Sequence, residues 1–372
     1  MMVPINEPLL SGNEKKYLNE CIDTGWISSE GPFVRKFEEQ MAEYTGRKFA
    51  VAVTNGTAAL ELAIEALGLG EGDEVIMPSF TIISCAQAIV KAGAKPVLID
   101  SEYDTFNMKV EDIEAKISKH TKAIMVVHIY GLPVDMDSVL ELSRKYKLKI
   151  IEDAAEMHGQ SYKGKMCGSF GDISIFSFYP NKHITTGEGG MVLMDDIVLL
   201  EKCKSLRNLG FSIDPDKRFI HEELGWNLRM TNLQAALGVA QLERIEEFVS
   251  KKRWIGEMYQ ILLSDIEEIN LPVKQKYFTE NIYWVFAVTL KDSCSKSVKE
   301  VMAELGANGI GTRPFFYPMH QQPVFNKMGL FEGEEYPNAT KLYESGFYIP
   351  SGMAITKQQI EEVSKRLHEI LN

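Results

Sequence analysis

The chain has 372 residues, 45% of them hydrophobic and 25% charged, with a formal net charge of −12. That apolar share supplies a sizeable core, and the length suits one large and one smaller folded unit. The acidic balance disfavours nucleic acid and anionic membranes as general partners, although a local basic pocket for a phosphorylated ligand remains allowed.

Five cysteines, Cys21, Cys85, Cys167, Cys203 and Cys294, lack metal-ligand spacing and are odd in number. Reduced thiols and a cytoplasmic protein are the simplest reading. The N-terminus has no basic region followed by an apolar run, so no signal peptide is expected. No uncharged apolar stretch of about 18 residues occurs, so no transmembrane helix is expected either.

From 49 to 194 short apolar runs alternate with helix-like segments. The runs are 49–53, 74–77, 96–99, 123–128, 149–152, 173–178 and 190–194, with amphipathic stretches such as 58–67 and 136–146 between them. Strands alternating with helices predict an α/β fold with a mostly parallel sheet covered on both faces. In such sheets the ligand sits at the carboxyl ends of the strands. Beyond 194 the pattern predicts helices at 196–206 and 231–263, a strand at 281–290, a helix at 297–305, a strand at 309–315 and a closing helix at 357–371. This divides the chain into a large unit, 1–245, and a smaller α+β unit, 246–372, with 231–263 able to bridge them.

Three strand ends carry chemistry. Segment 172–190, DISIFSFYPNKHITTGEGG, is a strand, an abrupt polar turn and a Gly-rich return. Lys182 lies in that turn. A solvated loop lysine is the bland alternative, but Ser177 upstream offers a hydroxyl to a phosphate, and the glycines permit close approach of a bound group. A partly desolvated lysine has a lowered pKa, which makes its amine a nucleophile toward an aldehyde. Asp153 ends the run 149–152, where a carboxylate could hold the ring nitrogen of pyridoxal phosphate protonated. Its spacing to Glu156 equally fits a helix capping box. Thr54-Asn55-Gly56-Thr57 opens the helix after the first strand, a ready phosphate site. Neither this turn nor GEGG at 187–190 is GxGxxG, so hydride transfer from a dinucleotide has no support.

The motifs TNGTAALELA, GDEVIMPSFT, HIYGLPVDM, IIEDAAEMHG, GDISIFSFYPNKHITTGEGGM, LGWNLRMTNLQAALGVAQLERI and TRPFFYPMH span nearly the whole chain. Together they resemble the DegT/DnrJ/EryC1/StrS family of sugar-nucleotide aminotransferases. The resemblance implies the aspartate-aminotransferase fold and pyridoxal 5'-phosphate as cofactor. It implies that Lys182 forms the Schiff base, Asp153 pairs with the pyridine nitrogen, and Glu156 lies near the 3-hydroxyl. It assigns Gly56, Thr57 and Ser177 to the phosphate. Asn227 matches a residue that reaches the phosphate of the neighbouring subunit, which implies a homodimer with shared active sites. Arg229, Arg313, Tyr317 and His320 match regions lining the nucleotide-sugar side; for each, a surface or core role is the alternative.

The implied reaction moves an amino group from L-glutamate, leaving 2-oxoglutarate, to C4 of a 4-keto-6-deoxy sugar nucleotide. The runs from Gly12-Asn13-Glu14 to Trp26-Ile27-Ser28-Ser29, and the NK-ITTGEGGM loop, are similar to members acting on GDP-4-keto-6-deoxy-D-mannose. A UDP- or dTDP-linked sugar is the alternative substrate. Two departures from those members are Ile82, where they place an aromatic residue, and Tyr179-Pro180 ahead of Asn181-Lys182. Family 3-dehydratases carry His in place of Lys182, and C3-aminotransferases read NLGAxGD after it. A non-catalytic homologue would be expected to lack Lys182 or Asp153.

Overall fold

The computed structural model describes residues 2–212, 215–217, 219–276 and 279–371. Seven short runs rich in Val, Ile, Ala and Met form one sheet, since nearly all their side chains are buried: β1 (Phe49–Val53), β2 (Glu74–Pro78), β3 (Lys95–Ile99), β4 (Thr121–Val127), β5 (Lys149–Asp153), β6 (Ile173–Ser177) and β7 (Gly190–Met194). Their order is β1-β7-β6-β5-β4-β2-β3. β7 is antiparallel to both its neighbours, and the five strands from β6 to β3 pair in parallel. This is the expected doubly covered, mostly parallel α/β sheet.

Alternation along each strand sorts side chains to two cores. Val51, Val53, Ile151, Ile173, Ile175 and Val192 pack with the helix Gly56–Ala66 on one face. Ala50, Ala52, Phe176, Met191 and Leu193 pack with the helices Pro32–Thr45 and Asn232–Leu242 on the other. Asp153 and Ser177 lie two residues beyond Ile151 and Ile175, so they share the face of Gly56–Ala66. That parity brings the functional groups to one side of the sheet.

The rest builds on a four-stranded antiparallel sheet: Ile269–Asn270, Phe286–Leu290, Gly346–Ile349 and Arg313–Pro314. Tyr259, Phe286, Val288, Val301, Phe347 and Leu367 fill its core, with the helices Val298–Ala307 and Lys357–Leu371 among its cover. Among the described residues no helix is long and apolar enough to cross a membrane.

Three expected elements come out differently. The helical stretch 231–263 is two helices, Asn232–Leu242 and Ile245–Leu262, broken where Glu243 accepts from Asn13 and Tyr17 and Arg244 pairs with Glu247. In the second helix Phe248 and Val249 join the sheet core while Ile255 and Tyr259 join the smaller core, so it does bridge both. The strand expected at 281–290 is limited to Phe286–Leu290, because Asn281 Oδ1 accepts from Tyr283 N at 2.7 Å and bends the chain, with Tyr283 at φ 50°. The strand expected at 309–315 is limited to Arg313–Pro314. Ahead of it Gly309 and Gly311 bond to Val3 at the N-terminal end instead.

Candidate active site

β1 leads into the helix Gly56–Ala66 without a loop. Asn55 is extended and its side chain accepts from Ala58 N at 2.8 Å, capping the helix two residues earlier than the sequence pattern predicts. The other N–H groups of the first turn have no intrahelical partner, the arrangement that favours an anion. Thr57 Oγ1 lies 3.0 Å from Ser84 Oγ, at the start of the helix Ile83–Lys91. Gly56 is required here: a Cβ would stand 2.8 Å from Ser177 Cβ. Gly190 is required for the same reason, with a would-be Cβ 2.3 Å from Asn55 O.

Asp153 ends β5 and is 3% exposed. One carboxylate oxygen accepts from Ala155 N at 3.0 Å, the other from Cys85 Sγ at 3.4 Å. No helix follows, so Asp153 caps a turn and the capping-box alternative is not realised. Glu156 accepts from Tyr130 N at 2.7 Å, and burial pushes its carboxyl up to about 8. Burial likewise raises Asp153, opposed by the Ala155 N–H and the Lys182 charge.

Lys182 lies in the connection between β6 and β7, held by Lys182 N donating to Tyr179 O at 2.9 Å. Its side chain is partly buried, with Nζ 4.0 Å from the centre of the Trp284 ring. Burial lowers its pKa, while Glu156, Asp153 and Cys85 oppose the shift. Beneath the turn, His158 stacks on Phe176 and Phe178, and burial pushes it down to about 3. His183 is fully buried and also held neutral by burial.

These groups converge on a cleft of about 700 Å³. Gly56, Thr57, Asp153, Glu156, Ser177 and Lys182 all line it. So does Ile82, which the sequence singled out, and so do Thr81, Ser84, Trp284, Phe316 and Tyr348, which it did not. Ile82 is 44% exposed there, offering an aliphatic face at the position where the members it resembles place an aromatic. No local pattern in the sequence marks Trp284, whose contacts with Asn181 and Lys182 are distant in the chain.

The other candidates lie elsewhere in the single chain. Asn227 is exposed and accepts from Arg229 Nε at 3.0 Å; Arg229 lines a neighbouring cleft with Lys204 and Arg207. Arg313 is exposed on the edge strand of the smaller sheet. Tyr317 and His320 line a separate, larger cleft of about 970 Å³ that is rimmed by Asp292, Glu332, Glu334, Glu335 and Glu344. Lys341, paired with Asp292, offsets one of these five carboxylates, and the remaining excess makes that cleft a poor host for a phosphorylated ligand. His320 is buried, with ring nitrogens 2.9 Å from Ser79 Oγ and 3.3 Å from Thr340 Oγ1. A buried His128–Glu152–Cys167 trio resembles a metal site, but Glu152 already accepts from His128, Gly168 N and Phe170 N.

The residues fit pyridoxal phosphate. The close approach of Gly56 to Ser177 leaves an open helix N-terminus for the phosphate. Asp153 is a buried carboxylate without an ion-pair partner among the described residues, and a protonated ring nitrogen would supply one. An amine with lowered pKa stands in the same cleft.

Comparison with known proteins agrees. Residues 8–368 match the DegT/DnrJ/EryC1/StrS aminotransferase family. The chain is 41% identical over 367 residues to a GDP-perosamine synthase of Escherichia coli O157:H7, covering 99% of this chain and 98% of that protein. It is 41% identical over 372 residues to a GDP-perosamine synthase of Vibrio cholerae, covering all of both. Among solved structures, an aminotransferase from Psychrobacter cryohalolentis superposes with a TM-score of 0.93 at 30% identity, covering all of both chains. The chain belongs to the DegT/DnrJ/EryC1/StrS aminotransferase family and is a pyridoxal-phosphate-dependent sugar aminotransferase.

Proposed function

We propose that the chain transfers an amino group from L-glutamate to C4 of GDP-4-keto-6-deoxy-D-mannose, giving GDP-perosamine for a surface polysaccharide. The observation that carries this is the convergence of Lys182, Asp153 and Glu156 in one cleft beside an open helix N-terminus. The full-length likeness to GDP-perosamine synthases supports the choice of sugar and carbon.

Bound pyridoxal phosphate supplies an aldehyde for the amine and a ring that withdraws electrons from the reacting carbon. Lys182 Nζ would hold the cofactor and, as a free amine, would move the proton at the donor's α-carbon as a general base. Its lowered pKa keeps a share of that amine neutral and able to accept the proton. Asp153 orients the ring by holding its nitrogen. Glu156 arrives protonated at neutral pH in the free protein and can donate to an oxygen at the ring's edge. Gly56, Thr57 and Ser177 bind the phosphate. The Trp284, Phe316 and Tyr348 side chains wall the cleft and exclude water.

The working unit in this reading is a homodimer with shared sites. Exposed apolar side chains support it, at Ile220, Leu224 and Trp226, which lie close to the exposed Asn227 in sequence, and at Trp26 and Ile27. Residues 1–245 then form the cofactor-binding part and 246–372 the smaller one. Five free thiols, four of them buried, fit a cytoplasmic setting.

Borohydride reduction fixes the cofactor to the lysine it is bonded to, and peptide mass mapping should find it on Lys182; another lysine would refute the assignment. A panel of 4-keto and 3-keto sugar nucleotides with glutamate, read by product mass and position, should give C4 amination of the GDP sugar. Amination at C3, or none, would overturn the proposal.

A further inference from the structure

We propose that Trp284 is a positioning residue for Lys182: its indole clamps the turn that carries the lysine and supports the amine whenever that amine is free. This rests on the assignment of Lys182 above. Trp284 is buried and comes from the segment just ahead of the strand Phe286–Leu290. Its indole Nε1–H donates to Asn181 O at 2.9 Å, one residue before the lysine. Its ring face lies 4.0 Å from Lys182 Nζ. One side chain thus holds two consecutive residues of the turn, one by hydrogen bond and one by its π face.

Trp284 is itself fixed from behind. Its carbonyl accepts from Lys252 Nζ at 2.8 Å, and Lys252 also donates to Ser351 O at 2.6 Å. The bend at Tyr283 and Asn281 precedes it, and its ring packs against Tyr130 at 5.8 Å and Tyr348 at 6.5 Å. A group so constrained keeps its place while Lys182 changes partners.

Transamination needs such a rest. After the donor displaces Lys182, the freed amine must stay beside the reacting carbon. Asp153 and Glu156 from the cleft and the buried Cys85 thiol act on its charge, and burial keeps His158 and His183 neutral nearby. Lys252 stands beyond the Trp284 backbone. Among the described residues the amine forms no ion pair with Asp153 or Glu156; it rests on the indole face. An ion pair there would tie up the base, whereas a π face attracts the ammonium without taking its proton.

The test uses cofactor-free protein, Trp284→Leu and Trp284→Phe. The rate of Lys182 acylation by acetic anhydride, followed by peptide mass across pH, reports the amine's midpoint. Loss of the π face should lower that midpoint by roughly 0.4–1.5 pH units in Trp284→Leu. Trp284→Phe keeps a face and should largely restore it, while hydrogen exchange at residues 181–183 quickens because the Nε1–H bond is gone. A folded Trp284→Leu with the wild-type midpoint overturns the inference, as does a Phe variant shifted as far as Leu. If the Leu variant fails to fold, unchanged exchange at 181–183 in Trp284→Phe overturns it. Borohydride mapping on wild type separates the two readings. Cofactor on another lysine defeats the Lys182 assignment; cofactor on Lys182 with an unmoved midpoint defeats only the role of Trp284.

Discussion

Gly56→Ala would place a Cβ 2.8 Å from Ser177 Cβ and 3.1 Å from Ser177 Oγ. Carbon atoms rest about 3.5–4.0 Å apart, so the helix start and the end of β6 must separate by roughly an ångström. Gly56 has no left-handed φ, so alanine by itself favours the helix by about 0.5–1 kcal/mol. Overpacking costs about 1–3 kcal/mol, leaving a net loss of up to about 2.5 kcal/mol in folding stability. The effect on the cofactor is larger. A charge-assisted hydrogen bond is worth about 1.5–3 kcal/mol, so spoiling one phosphate contact weakens binding about 10- to 150-fold. Titration of cofactor-free protein with pyridoxal phosphate measures this, and urea unfolding measures the stability term. Adding Ser177→Gly removes the colliding Cβ and should recover stability, with a coupling of about 0.5–3 kcal/mol. Wild-type cofactor affinity in Gly56→Ala would show that the phosphate does not bind at this helix N-terminus. Strict additivity in the double variant would show that the Ser177 contact is not the cause.

Asp153→Asn keeps the shape but removes the buried charge. With the loss of a buried ion pair costing about 3–5 kcal/mol, single-turnover amination should slow by about two to nearly four orders of magnitude at full cofactor occupancy; a rate within a few-fold of wild type would contradict the ring-nitrogen role. The Glu156 carboxyl titrates near 8 in the folded chain against an ordinary 4.5. The folded protein therefore holds a proton that the unfolded chain has lost, and this contribution, complete below pH 4.5, drains away as pH rises to about 8. Glu156→Gln cannot titrate, so its stability relative to wild type should improve by up to a few kcal/mol between pH 5 and pH 8 in cofactor-free urea titrations; a constant gap would refute the burial argument. His320→Ala loses partners at Ser79 and Thr340 and should cost about 1–3 kcal/mol of stability, with KM for the sugar nucleotide unchanged. A raised KM at unchanged stability would instead make His320 a substrate contact.

The sheet is legible because each strand has a continuous apolar run and a turn at its end, and Lys182, Asp153 and the Asn55–Thr57 turn all sit at such ends. What the pattern misses depends on partners distant in sequence. Whether Asp153 begins a helix is decided by Tyr130 N, which draws the Glu156 carboxylate away from any cap. The strand at 281–290 is cut short by a side-chain bond at Asn281. Trp284 reaches Lys182 across about a hundred residues, and no local periodicity records that contact. His320 carries the same lesson in reverse: its motif suggests a ligand side, while Ser79 and Thr340 already engage both nitrogens.

The placement of β7 bears on when the site can assemble. Within its sheet β1 is an edge strand whose sole neighbour is β7, paired from Phe49↔Met194 to Val53↔Gly190. The strand ahead of the phosphate turn therefore has no partner in its sheet until residue 194 has left the ribosome. Closing so long a loop is slow. A nascent chain stopped short of β7 should gain nothing from pyridoxal phosphate, whereas one extended past it, with the segment around Arg229 that bridges to Val53, could be held by the cofactor as it folds.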